Sequence, residues 1–354
     1  MKGEEEMATK KRLSTVLICL VALAFLTNLA YADKKETTKR YGPGYEKWVG
    51  TLIPAEFEFG PDDEVGRLNW QDPAMVLQAA KLVKGGKVYD LGQLVDRNSP
   101  NWPGHPPYEL ITFRSPFGEW NQGDQGWLMS NNDANICFAS EATIHCQHTG
   151  THMDGLCHVV FGQAWAGYNG FSQKKILGDW GFVKTGIETV PPVFCRGILL
   201  DVAGYKGVKC LKPGYEITVA DVQGTLKKQG TKIKKGDAVL IRTGAGQYWP
   251  DKKKATIGPG PGWKACKWLL DNGMMVGGTD TVAYETQPVP GGVGPVGTNP
   301  HPGHMIMFHH GVHILELLNL EGLAQDNAYE FLFVTVPNKF RGATGSNIRP
   351  IAIR

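Results

Sequence analysis

Residues 145–158 read HCQHTGTHMDGLCH and hold four of the ten histidines of the chain. Three of them and an aspartate, His148, His152, Asp154 and His158, fall at relative offsets 0, 4, 6 and 10. Even offsets put all four side chains on one face of an extended chain. On a helix, offset 6 lies about 240° from offset 0, which aims Asp154 away from His148. A straight strand separates offsets 0 and 4 by ~13 Å, about the limit for two imidazoles to share an ion. The segment must therefore be extended and bent, with Gly150 and Gly155 as the residues that bend most cheaply.

Two neutral imidazoles and a carboxylate are a usual ligand set for a catalytic divalent metal with open positions for water. Thr149 and Thr151, on the alternate face, are expected to bond neighbouring backbone and hold the turn. Cys146 shares the parity of His148, so a thiolate site with His148 and His152 is an alternative; Cys157 has the opposite parity and points away. A second cluster, residues 301–313 (HPGHMIMFHHGVH), precedes Glu316 in an apolar setting (ILELLNL). A carboxylate there is costly to bury unless something pairs it. Packing or capping accounts for at least two of His309, His310 and His313. The residues alone leave open which of the five histidines reaches the first cluster.

Elsewhere the chain reads as strand and helix in alternation. Residues 197–202, 238–242 and 331–336 are compact apolar runs, expected as core strands buried on both faces. Residues 219–229 and 261–272 read as helices between them. Residues 72–83 read as a helix with Asp72 as N-cap and Pro73 in the first turn. Residues 87–94 and 139–148 have strand character, and residues 99–108 (SPNWPGHPPY) form a loop suited to covering a pocket. The 45 glycines and 22 prolines exceed ordinary usage but stay short of a disordered composition. Together these features indicate a mixed α/β or α+β enzyme and exclude a helical bundle. A net charge of +3 argues against nucleic acid as a partner.

Residues 1–32 have the layout of a secretory signal peptide: Lys10, Lys11 and Arg12, an apolar stretch over 16–26, and Ala30-Tyr31-Ala32 at the cleavage point. The expectation is an exported, periplasmic or secreted protein cleaved after Ala32, with no stable membrane insertion. Residues 33–84 are then a polar leader (33–46 being mobile) and a helix, and residues 85–354 the main domain. Six cysteines remain in the mature chain, compatible equally with disulfides and with buried thiols.

The stretch from His148 to His158 matches HxGTHxDxxxH and resembles the metal-dependent hydrolases of the cyclase family, which include arylformamidases, isatin hydrolases and some lactone hydrolases. Trp102-Pro103-Gly104 and the ending RGATGSNIRPIAI add to the resemblance, which spans roughly residues 85–353. It implies a single swivelling β/β/α-type domain. It also implies that His148, His152, Asp154, His304 and Glu316 hold one or two divalent ions, Zn or Mn, and selects His304 because it stands twelve residues before Glu316. His158 is the implied proton carrier and Trp102 the implied substrate contact. The implied reaction is hydrolysis of a small amide next to a flat ring, arylformamidase-like and so linked to kynurenine and tryptophan catabolism, or opening of a lactone or isatin-type cyclic amide. A homo-oligomer is also implied. Outside the resemblance, a reading of another class is an exported metal- or ligand-binding protein without turnover. Arg341 and Arg349 are expected in structural ion pairs rather than on a substrate.

Overall fold

The computed structural model describes residues 40–41, 52–54, 56–123, 130–162, 164–251, 258–289, 293–294, 297–298 and 301–354. The signal-peptide reading and its cleavage point lie outside the described residues. No helix among the described residues is long and apolar enough to cross a membrane.

A nine-stranded mixed sheet organises the chain. Its strands are β1 (Val88–Asp90), β4 (His152–Asp154), β5 (Val193–Asp201), β6 (Asp237–Arg242), β7 (Met274–Thr279), β8 (His313–Glu316), β9 (Glu330–Thr335), β10 (Gly345–Asn347) and β11 (Ile351–Ile353). The spatial order is β1-β11-β9-β5-β6-β7-β8-β4-β10. The four central strands, β5 to β8, run parallel. All other pairs are antiparallel. β2 (Glu109–Arg114) and β3 (Ser140–Ile144) form a separate hairpin. Helix α2 (Pro116–Gln122) lies in the long connection between them.

The parallel core follows from the apolar runs, which alternate their side chains between two buried faces. Ile198, Leu200, Val239 and Ile241 pack under three helices, α3 (Val219–Gln229), α4 (Trp263–Asp271) and α5 (Pro302–His309). Leu199, Ala238, Leu240 and Leu315 face the other side, where Leu68, Tyr89, Ile187 and Leu320 cover them. Each such Val, Leu or Ile side chain contributes roughly 1.5–3 kcal/mol on burial. The expected mixed α and β architecture is the one observed.

Helix α3 spans the predicted residues because Thr218 and Asp221 form a capping box and Gly230 closes the end. Helix α1 (Pro73–Ala80) starts as expected, with Asp72 accepting from the Met75 N–H at 2.7 Å. It stops early because Leu82 and Val83 donate to carbonyls three residues back, tightening the last turn. Helix α4 also starts late, since Gly260–Pro261 is used in pairing with Glu216–Ile217. The expected strand over 139–148 ends at Ile144: its partner begins at Glu109, and Pro106 and Pro107 just before it carry no N–H for the ladder. The strand expected over 87–94 ends at Asp90 for a like reason, Pro350 preceding its partner β11.

The leader is not mobile throughout. Tyr41 is buried and bonded to His309 Nδ1 at 3.0 Å. Further on, Arg67 donates to the carbonyls of Leu270 and Met274, fastening this segment to the sheet. All six described cysteines are free thiols. Arg349 pairs with Asp90 at 2.6 Å, a structural contact as expected.

Candidate metal centre

Strand β4 lies between β8 and β10, and its register builds the site. His152 stands directly opposite Glu316, and Asp154 opposite Ile314 and Gly345. With period two, His152 and Asp154 share one face while Met153 enters the core behind. Gly150, at φ +68°, supplies the expected bend, and a side chain there would collide with Val95. Gly155 serves another purpose: its N–H donates to the Thr344 carbonyl at 2.8 Å, and its φ is not in the left-handed region. The second cluster enters through helix α5, which carries His304.

The five implied ligands converge as two triads that share Asp154: His148, His152 and Asp154, and Asp154, His304 and Glu316. His148 Nδ1 lies 2.7 Å from Asp154 Oδ1, and His152 Nε2 lies 3.4 Å from the same oxygen. His304 Nε2 is 3.1 Å from Glu316 Oε1 and 3.6 Å from Asp154 Oδ2. His152 Nδ1 donates to the Gly150 carbonyl at 2.7 Å, which leaves Nε2 as the lone-pair nitrogen facing the centre. Glu316 Oε2 accepts from the Ala283 N–H at 2.8 Å.

The electrostatics ask for a cation. Burial favours a neutral Asp154, but the fields of His158, His152 and His148 overcome it and hold the carboxyl well below its usual range. Burial likewise works against charge on His152, yet Asp154 and Glu316 push it up to about 9. His304 is raised as well, with Glu285 outweighing its burial. Despite these neighbours, Asp154 Oδ2 is buried with no hydrogen-bond partner among the described residues. An oxygen in that position costs roughly 1–3 kcal/mol, more for a charged group, unless a ligand satisfies it. The orphaned oxygen and the nitrogen and carboxylate donors around it fit a divalent metal.

His158 stacks on His148 at 4.0 Å between ring centroids. Burial, aided by the neighbouring histidines against the pull of Asp154, pushes it down to about 3, so the ring is neutral near pH 7. Trp102 and His158 line the same cavity as the two triads, a space of about 140 Å³. That is close to the ~150 Å³ of an apolar cavity able to hold benzene.

Cys146 is in neither triad, and its thiol is raised by burial. Cys157 points away, packed with Ile176 and Phe182. The threonines differ from expectation. Thr151 reaches across to the Leu317 carbonyl and accepts from the Gln93 N–H, tying separate segments together. Thr149 Oγ1 is buried without a hydrogen-bond partner among the described residues. The bland reading of the later histidines holds: His309 bonds Tyr41, and His313 Nδ1 donates to the Asp154 carbonyl.

Four further residues reach the site unannounced. Glu285 pairs with His301 and His304, and His301 lines the cavity. His105 also lines it, 6.0 Å from the His148 ring, and Thr344 Oγ1 lies 2.9 Å from His148 Nε2. His301 carried a local signal, three residues before His304, and His105 lies in the loop over 99–108 expected to cover a pocket.

Residues 89–286, more than half of the chain, match the family described as "Putative cyclase". Among solved structures, a protein described as a novel cyclase is 29% identical, with a TM-score of 0.72 over 84% of this chain and 98% of its own. An isatin hydrolase bound to the product analogue thioisatinate is 19% identical, with a TM-score of 0.56 over 80% of this chain and 98% of its own. Isatin hydrolase A from Ralstonia solanacearum is 20% identical, with the same TM-score, covering 80% and 97%. These two share the fold. No curated protein matches the sequence.

Proposed function

This chain belongs to the cyclase family, and from that premise we propose that it is a metal-dependent hydrolase cleaving the C–N bond of a small amide beside a flat ring, as an arylformamidase does. The observation that carries this reading is the buried, unpartnered Asp154 Oδ2 between two His and carboxylate triads that open on a ring-sized cavity. His148, His152 and Asp154 would hold one divalent ion, Zn or Mn, and Asp154, His304 and Glu316 a second. Such an ion acidifies water and polarises a carbonyl. His158, facing the cavity beside both triads, takes the proton of the attacking water and returns it to the leaving nitrogen. Trp102 flanks the substrate ring. Opening of a cyclic amide or lactone uses the same residues, and the fold shared with isatin hydrolases supports keeping it as the second reading.

Export and cleavage after Ala32 remain part of the proposal, as does self-association. Phe113, Phe117 and Trp120, on the arm formed by β2, α2 and β3, are 62%, 83% and 64% exposed, which supports a homo-oligomer.

The test is hydrolysis of N-formylkynurenine, isatin and a dienelactone by protein stripped of metal and refilled with Zn²⁺ or Mn²⁺. We expect metal-dependent turnover of at least one, reduced about 10²–10⁴-fold in His158→Ala with metal uptake intact. Metal uptake without turnover of any carbonyl compound would favour the binding-protein reading.

A further inference from the structure

We infer that Glu285 is a positioning residue that couples the metal centre to the substrate wall, one carboxylate oxygen orienting His304 and the other orienting His301. The inference rests on the metal-dependent hydrolase reading and extends it to residues outside the two triads.

Glu285 is 1% exposed, and both its oxygens are engaged. Oε2 accepts from His304 Nδ1 at 2.6 Å and Oε1 accepts from His301 Nδ1 at 3.0 Å. A carboxylate only accepts, so both rings give it their Nδ1–H. For His304 this turns Nε2 toward Asp154 and Glu316, the orientation a ligand needs. For His301 it sets the ring against the Trp102 indole, 5.9 Å between centroids, on the wall of the cavity. Two charge-assisted bonds offset the burial of the carboxylate. The packing is close: a Cβ at Gly303 would meet Glu285 Oε2 at 2.8 Å. His301 and His304 sit three residues apart at the start of α5, so one carboxylate beneath that turn reaches both rings. Glu285 thus fixes the distance between the second triad and the surface that meets the substrate ring.

The two halves of this role separate experimentally. Glu285→Gln keeps the shape but has one acceptor oxygen, so it cannot accept an Nδ1–H from both rings, and one ring loses the orientation the carboxylate imposes. Titration of the metal-free full chain with Mn²⁺ should show one site weakened about 10–100-fold. His301→Gln should bind Mn²⁺ as the wild type does, within about twofold, and raise KM about tenfold with kcat little changed, the loss of roughly one hydrogen bond. Thermal melts of both variants check folding, and His301→Gln, at a partly exposed position, stays readable if Glu285→Gln is unstable. Unchanged Mn²⁺ binding in Glu285→Gln overturns the positioning role. Equal loss of Mn²⁺ in His301→Gln makes His301 a ligand and overturns the division of labour. A wild-type chain that binds Mn²⁺ but hydrolyses none of the three substrates overturns the hydrolase reading and the substrate half of this one, and Glu285→Gln still decides the metal half.

Discussion

The two histidine-rich segments are of similar length and are put to different uses. In the first, His148, His152, Asp154 and His158 all face one cavity, because a single bend at Gly150 leads into a three-residue strand. In the second, His301 and His304 face that cavity, while His309 bonds Tyr41 and His313 bonds the Asp154 carbonyl. In the first, period two aligns His152 and Asp154 on the strand, and the turns on either side bring His148 and His158 over the same face. The second runs through a buried helix, Pro302–His309, into strand β8 at His313, so its histidines point in different directions. Histidine density therefore marks a metal site only where the backbone period keeps the rings on one side.

The sharpest way to break this comparison is to remove the residue that joins the two segments. Asp154→Asn should abolish metal uptake at both triads and lower turnover by about 10³-fold or more, the several kcal/mol of charge stabilisation a metal supplies. Metal content measured beside kcat would decide it, since retention of two ions would show that the segments act independently.

Gly345→Ala should divide the segments instead. The atoms its new Cβ meets first are His148 Cε1 at 2.6 Å and the Met153 carbonyl oxygen at 2.9 Å, both on the first segment. Displacing one ligand on the order of 1 Å is expected to lower kcat/KM about 10²-fold, with the second triad still occupied. Two equally weakened sites in a metal titration would contradict that division.

The packing histidines should reveal themselves in acid stability. His309 is fully buried, and burial pushes it down to about 3, far below its ordinary value. Between that value and ~6.5 the unfolded chain binds a proton that the folded chain refuses, so stability is complete above ~6.5 and falls with pH. From pH 6.5 to 5 the loss from this one group is about 2 kcal/mol. His309→Gln should flatten that part of the stability profile, and an unchanged slope would deny the role. The smallest effect belongs to Tyr41→Phe, expected to cost about 1 kcal/mol through its bond to His309. A denaturation midpoint equal to the wild type would show that the leader contributes nothing there.

How much was legible beforehand varied with the range of the interaction involved. Helix α3 was readable to its ends because Thr218, Asp221 and Gly230 cap it through contacts within a few residues. The apolar runs of β5, β6 and β9 were readable because burial on both faces leaves an uninterrupted apolar stretch. The end of β3 was not, since it depends on the two prolines preceding its partner. Glu285 was missed for the same kind of reason: one carboxylate in a connecting loop carries no periodic signal, and its two histidines follow 16 and 19 residues later.

By itself, the sequence determined the local geometry of the first segment. Parity and the bend that Gly150 makes place His148, His152 and Asp154 on one side. Only the tertiary structure decided that His152 faces Glu316 across β4 and β8 and that Glu285 and Thr344 contact the ligands. Strand register and helix docking are set by the whole core, whose apolar faces align segments more than a hundred residues apart, and no local spacing encodes that alignment.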